Sequence, residues 1–214
     1  MKTILFYGDS LVYGKIPKYA KRYERGVNFI GVLEGNLGLN YRIIDEGLRA
    51  RTIAGENHYF KYRDGLNQFG PILGSHLPLD VVCIFLGTND CNMKDTKNNE
   101  EIYSSLLDYK NQIIDWSKNL SIEKLPKIII IAPPVIRSDQ VINDEAMSCI
   151  FDSNSEIKSN NLKTVYKEFC EKENCIFFDA GKYCITANDE GIHLDPENNL
   201  LLGNALSEQI KSII

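Results

Sequence analysis

The chain predicts an α/β protein, a three-layer α/β/α sandwich around a five-stranded, mainly parallel sheet. Three observations carry that expectation. Five short apolar runs alternate with segments of helical periodicity. Two of the runs, VVCIFL at 81–86 and KIIIIA at 127–132, are almost continuously apolar, as strands covered on both faces are. Polar, turn-forming residues follow the strands, where ligands bind in such sheets.

The five runs lie at 3–7, 41–45, 81–86, 127–132 and 175–178. After the first, Phe29, Ile30, Leu33 and Leu37 share a helical face. Leu66, Phe69 and Leu73 mark a second helix, whose start Pro71 limits or whose axis it kinks. Ile102, Leu106, Tyr109, Ile113, Trp116 and Leu120 recur every three or four residues, the clearest helix in the chain. Leu162, Val165, Tyr166 and Phe169 mark another. For the last, Asp195 is a cap and Pro196 fits the first turn, followed by Leu202, Leu206, Ile210 and Ile213. The stretch 137–161 is polar and irregular, either a flap over a site or a surface loop.

With 214 residues and no linker or repeat, residues 1–214 read as one domain, large enough for a substantial core. The net charge of −5, without a long basic run, argues against nucleic acid or an anionic membrane as partner. No apolar stretch approaches bilayer-spanning length. The N-terminal apolar run is too short for a signal-peptide core and lacks a small-residue cleavage site, so a cytoplasmic protein is expected. Six cysteines, none in a CxxC pair, then read as reduced thiols, with Cys83 and Cys175 inside buried strands; neither a metal site nor a cofactor is expected.

Function turns on the strand ends. The first strand stops at Gly8-Asp9-Ser10-Leu11, where Ser10 is either a helix N-cap or a nucleophile. A serine hydrolase also needs a base, an orienting carboxylate and donors for an oxyanion. Of three histidines only His193 lies beyond a strand end and near acids; His58 and His76 lie in connecting segments and read as surface residues. Asn89, after the third strand, can donate a side-chain N–H. No GxSxG elbow is present.

GDSL at 8–11, LGTND at 86–90 and GIHLD at 191–195, together with EGLRART at 46–52, resemble the motif blocks of the SGNH, or GDSL, hydrolase superfamily. APP at 132–134, FFDAG at 177–181 and ENNLLLGNAL at 197–206 are similar to its bacterial arylesterase and acyltransferase branch. The resemblance implies the flavodoxin-like SGNH fold and a serine esterase acting on a small-molecule ester. Ser10 would attack the ester carbonyl, and His193 would take its proton and return it to the leaving alcohol. The backbone N–H groups of Ser10 and Ala50, with the Asn89 side chain, would hold the oxyanion. Acyl transfer to another alcohol is compatible with this chemistry, and relatives in this branch often self-associate, so a homo-oligomer is open.

Two departures stand out. Ala50 occupies a position where the superfamily usually has glycine. The acid three residues before His193 is Glu190 rather than aspartate, with Asp189 and Asp195 as rivals for the orienting role. Asp9 reads as structural, and Asp90 as a turn or capping residue. Arg49 and Arg51 either border a pocket or are solvated. Leu11 and Ile192 flank the two central residues and either touch the acyl group or pack. The competing functions are a carbohydrate O-deacetylase or lysophospholipase of the same superfamily, a catalytically weakened binding protein in which Glu190 marks a broken triad, and a metal-dependent phosphoesterase using Asp9, Asp90, His193 and Asp195.

Overall fold

The computed structural model describes residues 1–214. Five strands, β1 (Lys2–Gly8), β2 (Tyr41–Gly47), β3 (Val81–Phe85), β4 (Lys127–Ala132) and β5 (Ile176–Asp179), form one sheet in the order β2-β1-β3-β4-β5. Every neighbouring pair is parallel. The five apolar runs are the five strands, with shifts only at their ends. β1 and β2 continue to Gly8 and Gly47, which pair with each other. Cys175, expected inside the last strand, precedes it and is only half-buried, because its N–H bonds back to Cys170 O.

The helices are α1 (Ser10–Tyr13), α2 (Phe29–Leu37), α3 (Gly65–His76), α4 (Asn99–Asn119), α5 (Ser138–Val141), α6 (Glu145–Ser148), α7 (Ser153–Glu173) and α8 (Pro196–Lys211). Successive strand residues point to opposite faces, so an apolar run serves two cores. Leu5 and Tyr7 of β1 and Val82 and Ile84 of β3 pack with Phe69 of α3, Tyr109 of α4 and Phe169 of α7. Ile4, Phe6, Cys83 and Phe85 point the other way, onto Phe29 and Leu33 of α2 and Leu202 and Leu206 of α8.

Asp195 caps α8 by accepting from Asn198 N–H, and Pro196 opens it, as expected. α3 starts at Gly65, capped by Asp64, which accepts from Asn67 N–H, and runs through Pro71 rather than starting there. The stretch 137–161 is more ordered than its composition suggests. It holds α5, α6 and the beginning of α7, whose cap is a reciprocal pair between Asp152 and Ser155. That part of α7 buries serines: Ser159 Oγ accepts from Ile136 N–H, so no apolar stripe announces the helix before Leu162. No helix is long and apolar enough to cross a membrane.

Candidate active site

Gly8 ends β1 where there is no room for a side chain: a Cβ there would lie 2.3 Å from Val12 Cγ2 and 2.7 Å from the Phe85 carbonyl oxygen. The chain turns at once. Asp9 caps α1 through a 2.9 Å bond from Leu11 N–H to Oδ1, and Ser10 becomes the first helical residue. Asp9 is therefore structural. Its other oxygen accepts from Asn89 Nδ2 at 3.2 Å, which ties the end of β1 to the 3-10 turn Thr88–Cys91 after β3. Burial pushes the Asp9 carboxyl up to about 7, against the pull of the Leu11 N–H and the Arg51 charge.

His193 reaches Ser10 from the turn before α8. Its Nε2 lies 2.9 Å from Ser10 Oγ, across 183 positions of sequence. On the far side of the ring Nδ1 lies 2.7 Å from Glu190 Oε1 and 2.6 Å from Oε2. Glu190 Oε2 also accepts from the His193 backbone N–H at 3.0 Å. Gly191 makes this turn possible: it has φ +78°, and a Cβ there would sit 2.4 Å from Arg137 O. Because an ionised carboxylate only accepts, Nδ1 carries the ring hydrogen and Nε2 is left to accept from the Ser10 hydroxyl.

The rival acids lie elsewhere. Asp189 is exposed, 4.0 Å from Lys18 Nζ, and Asp195 caps α8. Asp90 is buried and accepts from Ile53 N–H, which holds the loop after β2. His58 is exposed, and His76 is half-buried against Glu46.

Glu190 is completely buried and has a second partner. Lys15 Nζ, itself buried, donates to Glu190 Oε1 at 2.9 Å. It also lies 3.3 Å from His193 Nδ1, but two donors meet there, so its bond is to the carboxylate. Gly14 is in the left-handed conformation at the C-cap of α1, which turns the chain back, and Lys15 N–H then bonds to Ser10 O. Burial alone would raise the Glu190 pKa. The His193 hydrogen bond and the charges of His193 and Lys15 outweigh it and bring the carboxyl down to about 2. Burial holds the His193 imidazole below its usual range, Glu190 opposes this, and Lys15 and Arg49 add to the lowering.

Ala50 sits at φ +64°, the left-handed region in which glycine is at ease. Asn57 Nδ2 fixes its carbonyl at 3.0 Å. Asn89 Nδ2 donates to Arg51 O at 3.0 Å, which links the loops after β2 and β3. Arg51 neither borders the pocket nor meets solvent. It is buried with its guanidinium 4.1 Å above the Tyr7 ring, and it donates to Gly8 O at 2.8 Å and to Glu46 O. It thus fastens the ends of β1 and β2 beneath the site.

Ser10, His193, Ala50 and Asn89 line one cavity of about 210 Å³. Ile192 lines it too. Leu11 does not: it packs with Ile4 and Phe6 in the opposite core, because the first turn of α1 sends successive side chains to different faces. Sequence reasoning missed Lys15, the loop residues Phe60 and Arg63, and the wall formed by Met147, Ile150 and Phe151. The only signal for that wall was the apolar Ile150-Phe151 pair within the polar stretch 137–161. For Lys15 there was none, since nothing near it in sequence shows that it is buried.

A sequence profile of the GDSL-like lipase/acylhydrolase family matches residues 4–206. Comparison with curated proteins gives no match. Among solved structures, the chain is similar to the native aryl esterase of M. smegmatis, with 31% identity and a TM-score of 0.90, aligned over 100% of both chains. It is similar to a carbohydrate acetylesterase from Sinorhizobium meliloti at 30% identity and a TM-score of 0.91, again over 100% of both. A lipase/acylhydrolase from Enterococcus faecalis shares the fold at 18% identity and a TM-score of 0.68, over 99% of this chain and 96% of that one. On the profile match over nearly its whole length, the chain belongs to the GDSL-like lipase/acylhydrolase family.

Proposed function

We infer that the protein is a serine esterase that hydrolyses carboxylic esters of short acyl groups through an acyl-enzyme on Ser10. The observation that carries this reading is the continuous relay from Ser10 Oγ to His193 Nε2 at 2.9 Å and from His193 Nδ1 to Glu190 at 2.6–2.7 Å. Ser10 Oγ attacks the ester carbonyl while Nε2 takes its proton, and the imidazolium then hands that proton to the leaving alcohol. Water, or a second alcohol, opens the acyl-enzyme by the same steps in reverse. Glu190 keeps Nδ1 protonated and stabilises the transient imidazolium. The N–H groups of Ser10 and Ala50 are donors for the tetrahedral oxyanion, and the Asn89 amide joins them by turning one N–H away from its longer bond, that to Asp9 at 3.2 Å.

Lys15 is a positioning residue in this scheme. Glutamate is one methylene longer than the aspartate usual at its position, and Lys15 holds Oε1 of that longer side chain at 2.9 Å. The substitution therefore leaves the relay intact, which removes the motive for a catalytically weakened binding protein.

The cavity volume favours small substrates. About 210 Å³ is below the ~300–1,000 Å³ of pockets that enclose drug-sized ligands, so a lysophospholipid chain has no trough of matching size. A panel of p-nitrophenyl esters from acetyl to decanoyl tests this. Turnover is expected to be best with acetyl to butyryl and to collapse by octanoyl; a preference for decanoyl would contradict the short-acyl reading. Similarity to a carbohydrate acetylesterase supports O-deacetylation as a second reading. Acetate release from acetylated sugars, compared with that from p-nitrophenyl acetate, separates the two.

A further inference from the structure

Three cations, Lys15, Arg49 and Arg63, line the Ser10 cavity, and no acidic side chain does, in a chain of net charge −5. Lys15 is neutralised by Glu190. Arg49 and Arg63 are half-buried and form no ion pair, whereas Arg22 and Arg25 on the same molecule pair with Asp45 and Glu34. Arg63 spends Nε on Arg49 O at 2.7 Å and Nη1 on the Lys61 and Tyr62 carbonyls, which anchors its guanidinium and leaves Nη2 unengaged. The Arg49 guanidinium makes a single hydrogen bond, 3.3 Å from Nη1 to Ala20 O. Its charge is close enough to His193 to depress the proton affinity of the imidazole. The remaining wall is apolar, with Phe60, Met147, Ile150, Phe151 and Ile192.

We propose that the site selects esters whose alcohol portion carries an anionic group, a carboxylate or phosphate, received by Arg49 with Arg63 beside it. The inference rests on the Ser10 esterase reading and narrows its substrate class. The leaving oxygen must lie within reach of His193 Nε2 to receive a proton, and Arg49 is the unpaired cation whose field reaches that ring. The apolar wall takes the acyl carbons, so the anion is assigned to the other half of the ester, the leaving group. A guanidinium with free N–H groups offers a carboxylate or phosphate two parallel hydrogen bonds, which a neutral alcohol cannot exploit. A bound anion also cancels the Arg49 charge that disfavours the imidazolium, so the substrate relieves an electrostatic cost just where the proton is held.

The test compares 4-acetoxybenzoate with its neutral isostere 4-acetoxybenzamide, each kcat/KM divided by that ester's own hydroxide-catalysed rate constant. At low ionic strength the wild-type ratio is expected to favour the carboxylate roughly tenfold, the low end of the gain from a charged cleft. It should fall as salt approaches about 1 M but stay above one, because a half-buried contact pair is screened less than exposed charges. In Arg49→Gln the ratio should drop to near one, and in Arg63→Gln by a smaller factor. A wild-type ratio of one or below, with both esters hydrolysed, overturns the anionic preference and leaves the esterase reading standing. A ratio that does not respond to salt at all, or survives both substitutions, overturns the assignment to Arg49 and Arg63. Hydrolysis of neither ester overturns the esterase reading and this inference with it. The salt series on the wild type decides even if a variant fails to fold.

Discussion

Lys15 and Glu190 form a buried ion pair at 2.9 Å between residues 175 positions apart, and the same glutamate grips the imidazole that faces Ser10. The pair gives the lengthened acid a fixed end. Removing one partner of a buried pair costs about 3–5 kcal/mol, because the other charge stays behind unpaired. Lys15→Met is therefore expected to lower both stability and kcat. Since Lys15 depresses the His193 proton affinity, its loss should also move the acidic limb of the kcat/KM profile to higher pH. A purely structural lysine would reduce stability without moving that limb, so pH profiles of the folded variant, with melting curves, check the assignment.

Glu190→Gln is expected to be the most impaired of the three amide variants. A glutamine can donate to Nδ1, which favours the wrong tautomer, and loss of an orienting carboxylate can lower kcat by roughly 10⁴-fold. Asp189→Asn, at an exposed position, and Asp195→Asn, at a helix cap, should retain most of the turnover. Steady-state kinetics on the three variants distinguishes them, and a crippled Asp189→Asn would reassign the acid.

Ala50 carries a conformational cost that glycine would not. A left-handed residue with a Cβ costs about 1–2 kcal/mol, partly offset by the entropy that glycine loses on folding. Ala50→Gly should raise the thermal midpoint by about 2–4 °C for a net gain near 1 kcal/mol. Ala50→Val, β-branched at positive φ, should lower it. Differential scanning fluorimetry of the pair checks the sign of both shifts.

Stability should be higher at pH 5 than at pH 8. Burial pushes the Asp9 carboxyl from 3.8 to about 7, so its favourable contribution is fully present below about 4 and is lost as pH rises through 7. Asp90 is pushed the same way by burial. Glu190 has the opposite sign: lowered to about 2, it stabilises above about 4.5 and loses that effect only as pH falls toward 2, so it does not vary between pH 5 and 8. His193 opposes this slope below about 6.5, since burial holds its imidazole under the usual range and folding must then exclude a proton. Two carboxyls outweigh one imidazole, so melting curves across this range should still slope downward with pH, and less steeply in Asp9→Asn.

The sheet and the site's corners were legible because both depend on local signals. Unbroken apolar runs mark doubly covered strands, and a parallel sheet delivers the residues after its strands to one edge, so Ser10, Asn89 and His193 could be found without coordinates. What stayed hidden depends on distant partners. Lys15 looks like any surface lysine until Glu190 arrives from the far end of the chain. The start of α7 buries Ser155 and Ser159 where an apolar stripe was awaited. Leu11 and Ile192 both flank a site residue, yet only the backbone directions of α1 and of the Glu190–His193 turn send one into the core and the other to the cavity.

Labelling with a fluorophosphonate probe, located by peptide mass spectrometry, tests most directly whether Ser10 is a nucleophile activated by His193. The adduct is expected on Ser10 in the wild type, absent in Ser10→Ala and strongly slowed in a folded His193→Ala. Equal labelling of Ser10→Ala, or an adduct on another residue, would contradict the Ser10 acyl-enzyme.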